Sequence, residues 1–159
     1  MEHHHHTQST DGPATFNNLL ALKATLHCLS GCAIGEMLGL LIGSALGWSN
    51  FGTVALAVVL AFLSGYAFTL IPLLNAGMGW RMAAGTALAA DTASIAVMEL
   101  VDNLTMLLIP GAMEAPPDTA MFWISLLASL FLAGLAAFPL NRWLIGRGRG
   151  HALAHGHHH

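Results

Sequence analysis

Two glutamates stand in the middle of apolar stretches long enough to cross a membrane: Glu36 in LHCLSGCAIGEMLGLLIGSALGW and Glu99 in ALAADTASIAVMELVDNLTMLLI. An ionisable side chain at the bilayer centre costs about 2.5–3.5 kcal/mol or more, so its presence marks a functional site by default. Neither glutamate is alone. Cys28, Cys32 and Glu36 recur at i, i+4 and i+8, which puts them on one helix face, with His27 one position to the side. Asp91, Ser94, Met98 and Asp102 follow a similar stripe in the second stretch, flanked by Glu99 and Asn103. If these faces meet, thiols, imidazole, thioether and carboxylates converge, a set that holds both soft and hard ligands for a transition metal. The candidate metal ligands are His27, Cys28, Cys32, Glu36, Asp91, Met98, Glu99 and Asp102.

Each of these residues also has a plainer reading. Free cysteine is among the most buried residue types, so Cys28 and Cys32 also fit as small core hydrophobes. A disulfide between them is disfavoured, because i, i+4 on a helix lacks the usual bridge geometry. His27 fits equally as a partner of a backbone carbonyl or a headgroup-zone residue. Met98 and Met106 fit as core filler, and Ser94 can bond back to its own helix. The carboxylates resist this treatment best. Glu36, Asp91, Glu99 and Asp102 have no basic residue at comparable depth, so they must be protonated, hydrated or bound to a cation.

The elements that position these groups follow from composition. The chain is 55% hydrophobic and 8% charged, against about 25% charged in an ordinary soluble domain, so it is read as an all-α polytopic membrane protein of one domain. A crossing needs about 20 mostly apolar residues. Four spans are predicted: Leu20 to Trp48, Phe51 to Leu74, Met82 to Ile109 and Met121 to Ile145, within a transmembrane domain over 19–146. A polar tail over 1–18 lacks the apolar core of a signal peptide, and a basic then His-rich tail occupies 147–159. Lys23, Arg81, Arg142, Arg147 and Arg149 all fall on one side of this arrangement, and only Glu114 and Asp118 charge the opposite loops. The positive-inside rule then places both termini in the cytoplasm. Trp80 and Trp143 mark one interface, Trp48 and Trp123 the other.

The halves read as possible copies of one hairpin. With Glu36 aligned on Glu99, Ala33–Leu38 lies over Ala96–Val101 and Cys28 over Asp91, and each half has a late Pro-Leu pair, Pro72-Leu73 and Pro139-Leu140. Such a duplication, about an axis along the membrane normal, predicts matching depth for the two glutamates. Gly31, Gly35, Gly39, Gly43 and Gly47 recur every four residues, forming a packing ladder that lets another helix backbone approach closely. That ladder suits an internal contact or a homo-oligomer equally.

His3–His6 open the chain, and His151, His155 and His157–His159 close it. Such tracts bind divalent or cuprous metal, and an expression tag is the competing reading. The stretches LKATLHCLSGCAIGEMLGLLIGSALGWSN, LAADTASIAVMELVDN and FPLNRWLIGRGRGHA together resemble a small uncharacterised bacterial inner-membrane family known only as a domain of unknown function. The resemblance covers roughly Leu20 to Ala152. It implies four helices, association with copper-oxidase-like proteins and His-rich ends, and hence copper or another transition metal, without implying an activity.

The leading expectation is a protein that binds and translocates, or hands over, a transition-metal cation, copper before zinc, iron or manganese. Histidines of the tails would concentrate the ion, His27, Cys28 and Cys32 would form a first site, and Glu36, Glu99 and Asp102 would carry the ion or exchange protons deeper in. Metal binding would release protons from the thiols, so uptake weakens at acid pH. Its partners would be the lipid bilayer, the metal ion, a second copy of the chain and a metalloenzyme or metallochaperone. Transport or binding is favoured over catalysis. The alternatives are a membrane thiol oxidoreductase, weakened by a C-x-x-x-C spacing where C-x-x-C is expected, an assembly subunit of a membrane metalloenzyme, and a carrier for a small organic cation. No phosphate loop, nucleotide fingerprint or H-E-x-x-H motif is present, and five basic residues are too few for nucleic acid.

Overall fold

The computed structural model describes residues 12–147, which form four helices: α1 Gly12–Ala45, α2 Asn50–Asn75, α3 Trp80–Leu108 and α4 Ala120–Gly146. All four are long and apolar enough to cross a membrane. The fold is all-helical, as composition and span length require. The histidine tails at 3–6 and 151–159, and Arg149, lie outside the described residues.

Short links make consecutive helices antiparallel neighbours. α1 ends three residues before the predicted Trp48, because Gly47 takes φ +64°. Its N–H reaches Ser44 O at 3.1 Å and Trp48 N–H reaches Gly43 O at 3.0 Å, a Schellman closure that only glycine enters without strain. The fifth rung of the glycine ladder is therefore a helix stop, not a packing position. α2 closes in the same way, with Gly77 at φ +84° and Met78 N–H on Leu73 O at 3.1 Å. Hydroxyls cap the next starts: Ser49 Oγ accepts from Gly52 N–H at 3.3 Å, and Thr119 Oγ1 from Phe122 N–H at 3.5 Å.

α1 packs most extensively on α2 and also on α4, α3 packs on α4 and α2, and α1 and α3 meet across the diagonal. The glycine ladder makes the first of these contacts, so its role is internal. A Cβ at Gly31 would stand 2.7 Å from Gly65 Cα, and one at Gly43 would stand 2.5 Å from Thr53 Oγ1. At Gly35 it would collide with the Leu60 carbonyl, and at Gly39 with the Ala57 backbone. Ser64 fills the notch, its Oγ placed 2.6 Å from Gly31 O and 2.7 Å from Leu60 O. Large apolar side chains such as Leu38, Val59, Leu63, Leu100 and Leu127 point outward, as a lipid-facing surface demands. α2 and α4 turn small residues inward, among them Ala57, Ala61, Gly65, Ala133 and Ala137. That leaves the bundle centre to the thiol and carboxyl side chains of α1 and α3.

Candidate functional site

The α1 and α3 stripes predicted from spacing do face each other. Cys28, Cys32, Glu36, Asp91, Met98, Glu99 and Asp102 are all buried, and His27 is half-buried. Met98 packs with Cys28 and Cys32 in the apolar core, together with Ile95 and Ala61. Among the described residues, however, no three His, Cys, Asp or Glu side chains gather closely enough to hold one metal ion. The groups form a file along the diagonal instead of one shell.

The file has two parts. Toward the helix ends that carry the termini, most polar groups have a partner, Asn18 Oδ1 and Asp91 Oδ2 being the exceptions. Asn141 Nδ2 donates to Thr25 Oγ1 at 2.9 Å, and Thr25 Oγ1 donates to Ala21 O at 2.8 Å. His27 Nε2 lies 3.2 Å from Thr69 Oγ1, and its ring meets the Phe68 ring edge to face with centroids 5.7 Å apart. Cys28 Sγ donates to Asp91 Oδ1 at 3.6 Å. Thr69 and Asn141 were not singled out as site residues from the sequence. The available signal was a polar residue inside an otherwise apolar helix, in AFTLIPLL and FPLNRW.

Toward the loops the pattern reverses. Glu36 Oε2, Glu99 Oε2 and both carboxyl oxygens of Asp102 are buried with no hydrogen-bond partner. Asp102 and Glu99 neighbour Glu36, with the Glu36 and Asp102 carboxyls within hydrogen-bond reach of each other, and Glu99 and Glu36 both neighbour Cys32. Leaving a buried acceptor unsatisfied costs about 1–3 kcal/mol, more when it is charged. The nearest lysine along α1, Lys23, is 13 residues from Glu36, roughly 20 Å at the helical rise. No counter-charge from that helix reaches the cluster.

A cavity of about 250 Å³ leads to this cluster from the loop face. Glu36, Glu99, Asn103 and Met106 line its inner part, and Trp48, Glu114, Pro116, Pro117 and Phe122 line it nearer the loops. The α3–α4 loop that borders it is braced, since Trp123 Nε1 donates to Pro117 O at 2.9 Å and Thr119 Oγ1 to Pro116 O at 2.7 Å. The sequence indicated the carboxylates but not their access route, because Trp48, Glu114 and Phe122 lie on three separate segments.

The predicted matching depth is visible. Glu36 lies nine residues before Ala45, the end of α1, and Glu99 nine before Leu108, the end of α3. Cys28 and Asp91, one of the aligned pairs, are in direct contact.

The family model described as Domain of unknown function (DUF4396) matches residues 19–150. No curated protein and no solved structure matches the chain.

Proposed function

The chain belongs to the DUF4396 family, and on that premise we propose that it binds a transition-metal cation inside the bundle and translocates it or hands it over. The single observation that supports this reading is the set of partnerless carboxyl oxygens on Glu36, Glu99 and Asp102, met by a cavity that opens from the loop face. A proton, water or a bound cation satisfies such oxygens, and the cavity gives a cation access to them.

In this reading the cation enters by the cavity, exchanges its water for carboxylate oxygens, and meets Cys32, Cys28 and Asp91 further along the file. His27 and Thr69 stand near the far end and offer an imidazole nitrogen and a hydroxyl. Thiolates select copper(I) or zinc, so copper is the first ion to test, with zinc, iron and manganese after it. Two copies of the chain, a bacterial inner membrane with both termini in the cytoplasm, and a metallochaperone or metalloenzyme recipient belong to the same proposal.

The test is metal content of the full chain purified in detergent, measured by mass spectrometry beside Cys28→Ser/Cys32→Ser and Glu36→Gln/Glu99→Gln, with ion uptake into proteoliposomes. The expected result is stoichiometric metal above the contribution of the tails, reduced in both variants, with uptake lost in parallel. Equal metal content and equal uptake in wild type and variants would overturn the reading.

A further inference from the structure

We infer that the loop-face cavity is a separate station for a hydrated divalent metal ion, ligated by the Glu36 and Glu99 carboxylates and distinct from the thiols. This rests on the cation-handling reading and names the class of ion that the cavity accepts first.

Four observations carry it. Glu36 and Glu99 are only 5% and 6% exposed, each holds an oxygen without a partner, and both line the cavity. Two carboxylates supply the charge that balances a divalent ion. Asn103 lines the same space, and its Nδ2 is committed to Glu99 O at 2.8 Å, which leaves the amide oxygen as the atom available to a cation. The ligand set is therefore oxygen-rich, the chemistry that suits manganese, magnesium or calcium.

The thiols lie outside the space that the ion enters, although Cys32 neighbours both glutamates. Cys28 and Cys32 are 4% and 1% exposed, and neither lines the cavity. An incoming ion meets oxygen before sulfur. The size of the space agrees. At about 250 Å³ it falls below the roughly 300–1,000 Å³ of sites that enclose drug-sized organic ligands. It has room for an ion that keeps several waters, which divalent ions of this class do readily. Selection then has two stages, first by charge and hydration at the carboxylates, then by softness at the thiols.

Manganese(II) alone is the probe, because it favours oxygen ligands and its free aqueous form gives a six-line electron paramagnetic resonance signal. It is titrated into the full chain in detergent, with Glu36→Gln, Glu99→Gln and Cys28→Ala/Cys32→Ala in parallel. These glutamine exchanges conserve shape, and retention of a single symmetric size-exclusion peak certifies folding. The expected result is one manganese per chain beyond the tail background, weakened more than about tenfold in each glutamine variant and unchanged in the cysteine variant. Water-proton relaxation should show that the bound ion retains water.

Manganese bound equally in wild type and both glutamine variants overturns the station. So does manganese lost with the cysteines, which would mean one mixed site, or manganese displaced by methylammonium at equal concentration, which would mean an amine site. Copper that remains on the thiols while manganese fails to bind would sink this inference and leave the cation-handling reading standing. Loss of both would sink the two together.

Discussion

The two ends of the polar file differ in pairing: toward the termini most groups have partners, toward the loops the carboxylates of Glu36, Glu99 and Asp102 hold oxygens that do not. Thr25 with Asn141, His27 with Thr69 and Cys28 with Asp91 close the first end. Glu36, Glu99 and Asp102 leave four buried oxygens without partners at the second, beside a cavity. Both ends sit in the same bundle, between the same helices, so membrane burial alone does not explain the difference. Paired polar groups hold helices in register. Unpaired ones beside an accessible cavity are the feature on which the proposed cation site rests. Asp91 stands at the junction, with Oδ1 engaged by Cys28 and Oδ2 without a partner.

The strongest way to break this contrast is to remove the packing that supports both ends. Gly35→Val drives a side chain into the Leu60 carbonyl, and forced overpacking of this kind costs about 1–3 kcal/mol or more. We expect the upper end of that range and loss of the folded detergent-solubilised form, read as an early transition in thermal unfolding. Gly85→Ala is the control, since a Cβ there meets nothing within 4 Å. A folded Gly35→Val with ordinary stability would mean that α1 and α2 are not pressed together as described.

The paired end predicts a smaller loss. Thr25→Val strands the Asn141 amide in a buried site, and stability should fall by about 1–3 kcal/mol in chelator-treated protein. An unchanged unfolding midpoint would show that this end is not held by its pairs.

The unpaired end predicts the opposite sign and the smallest magnitude. Glu99→Gln removes a carboxylate that has no counter-charge, so without metal the variant should match wild type or exceed it by about 1 kcal/mol. With metal present the order should reverse, because a ligand at 100 times its dissociation constant adds about 2.7 kcal/mol to the protein that binds it. Metal that stabilises Glu99→Gln as much as wild type would erase the distinction between the two ends.

Much of this was legible in the sequence because its signals are local. Four apolar runs separated by short links leave little choice but an antiparallel helical bundle, and i, i+4 spacing places Cys28, Cys32 and Glu36 on one face of whichever helix they occupy. The ladder from Gly31 to Gly43 announced a close helix contact. Gly47 misled, because its spacing continues the ladder while its backbone, at φ +64°, ends the helix. Spacing cannot register that difference.

By itself, then, the sequence determined the class of fold and the helix that carries each ionisable group. These depend on hydropathy and on the fixed rise and turn of a helix. Only the tertiary structure decided that the glycines face α2, that Thr69 and Asn141 complete pairs with α1, and that Trp48, Glu114 and Phe122 border one cavity above the carboxylates. Those outcomes depend on which faces of different helices come together. Contacts such as the one between Thr25 and Asn141, 116 residues apart, leave no periodicity along the chain from which to read them.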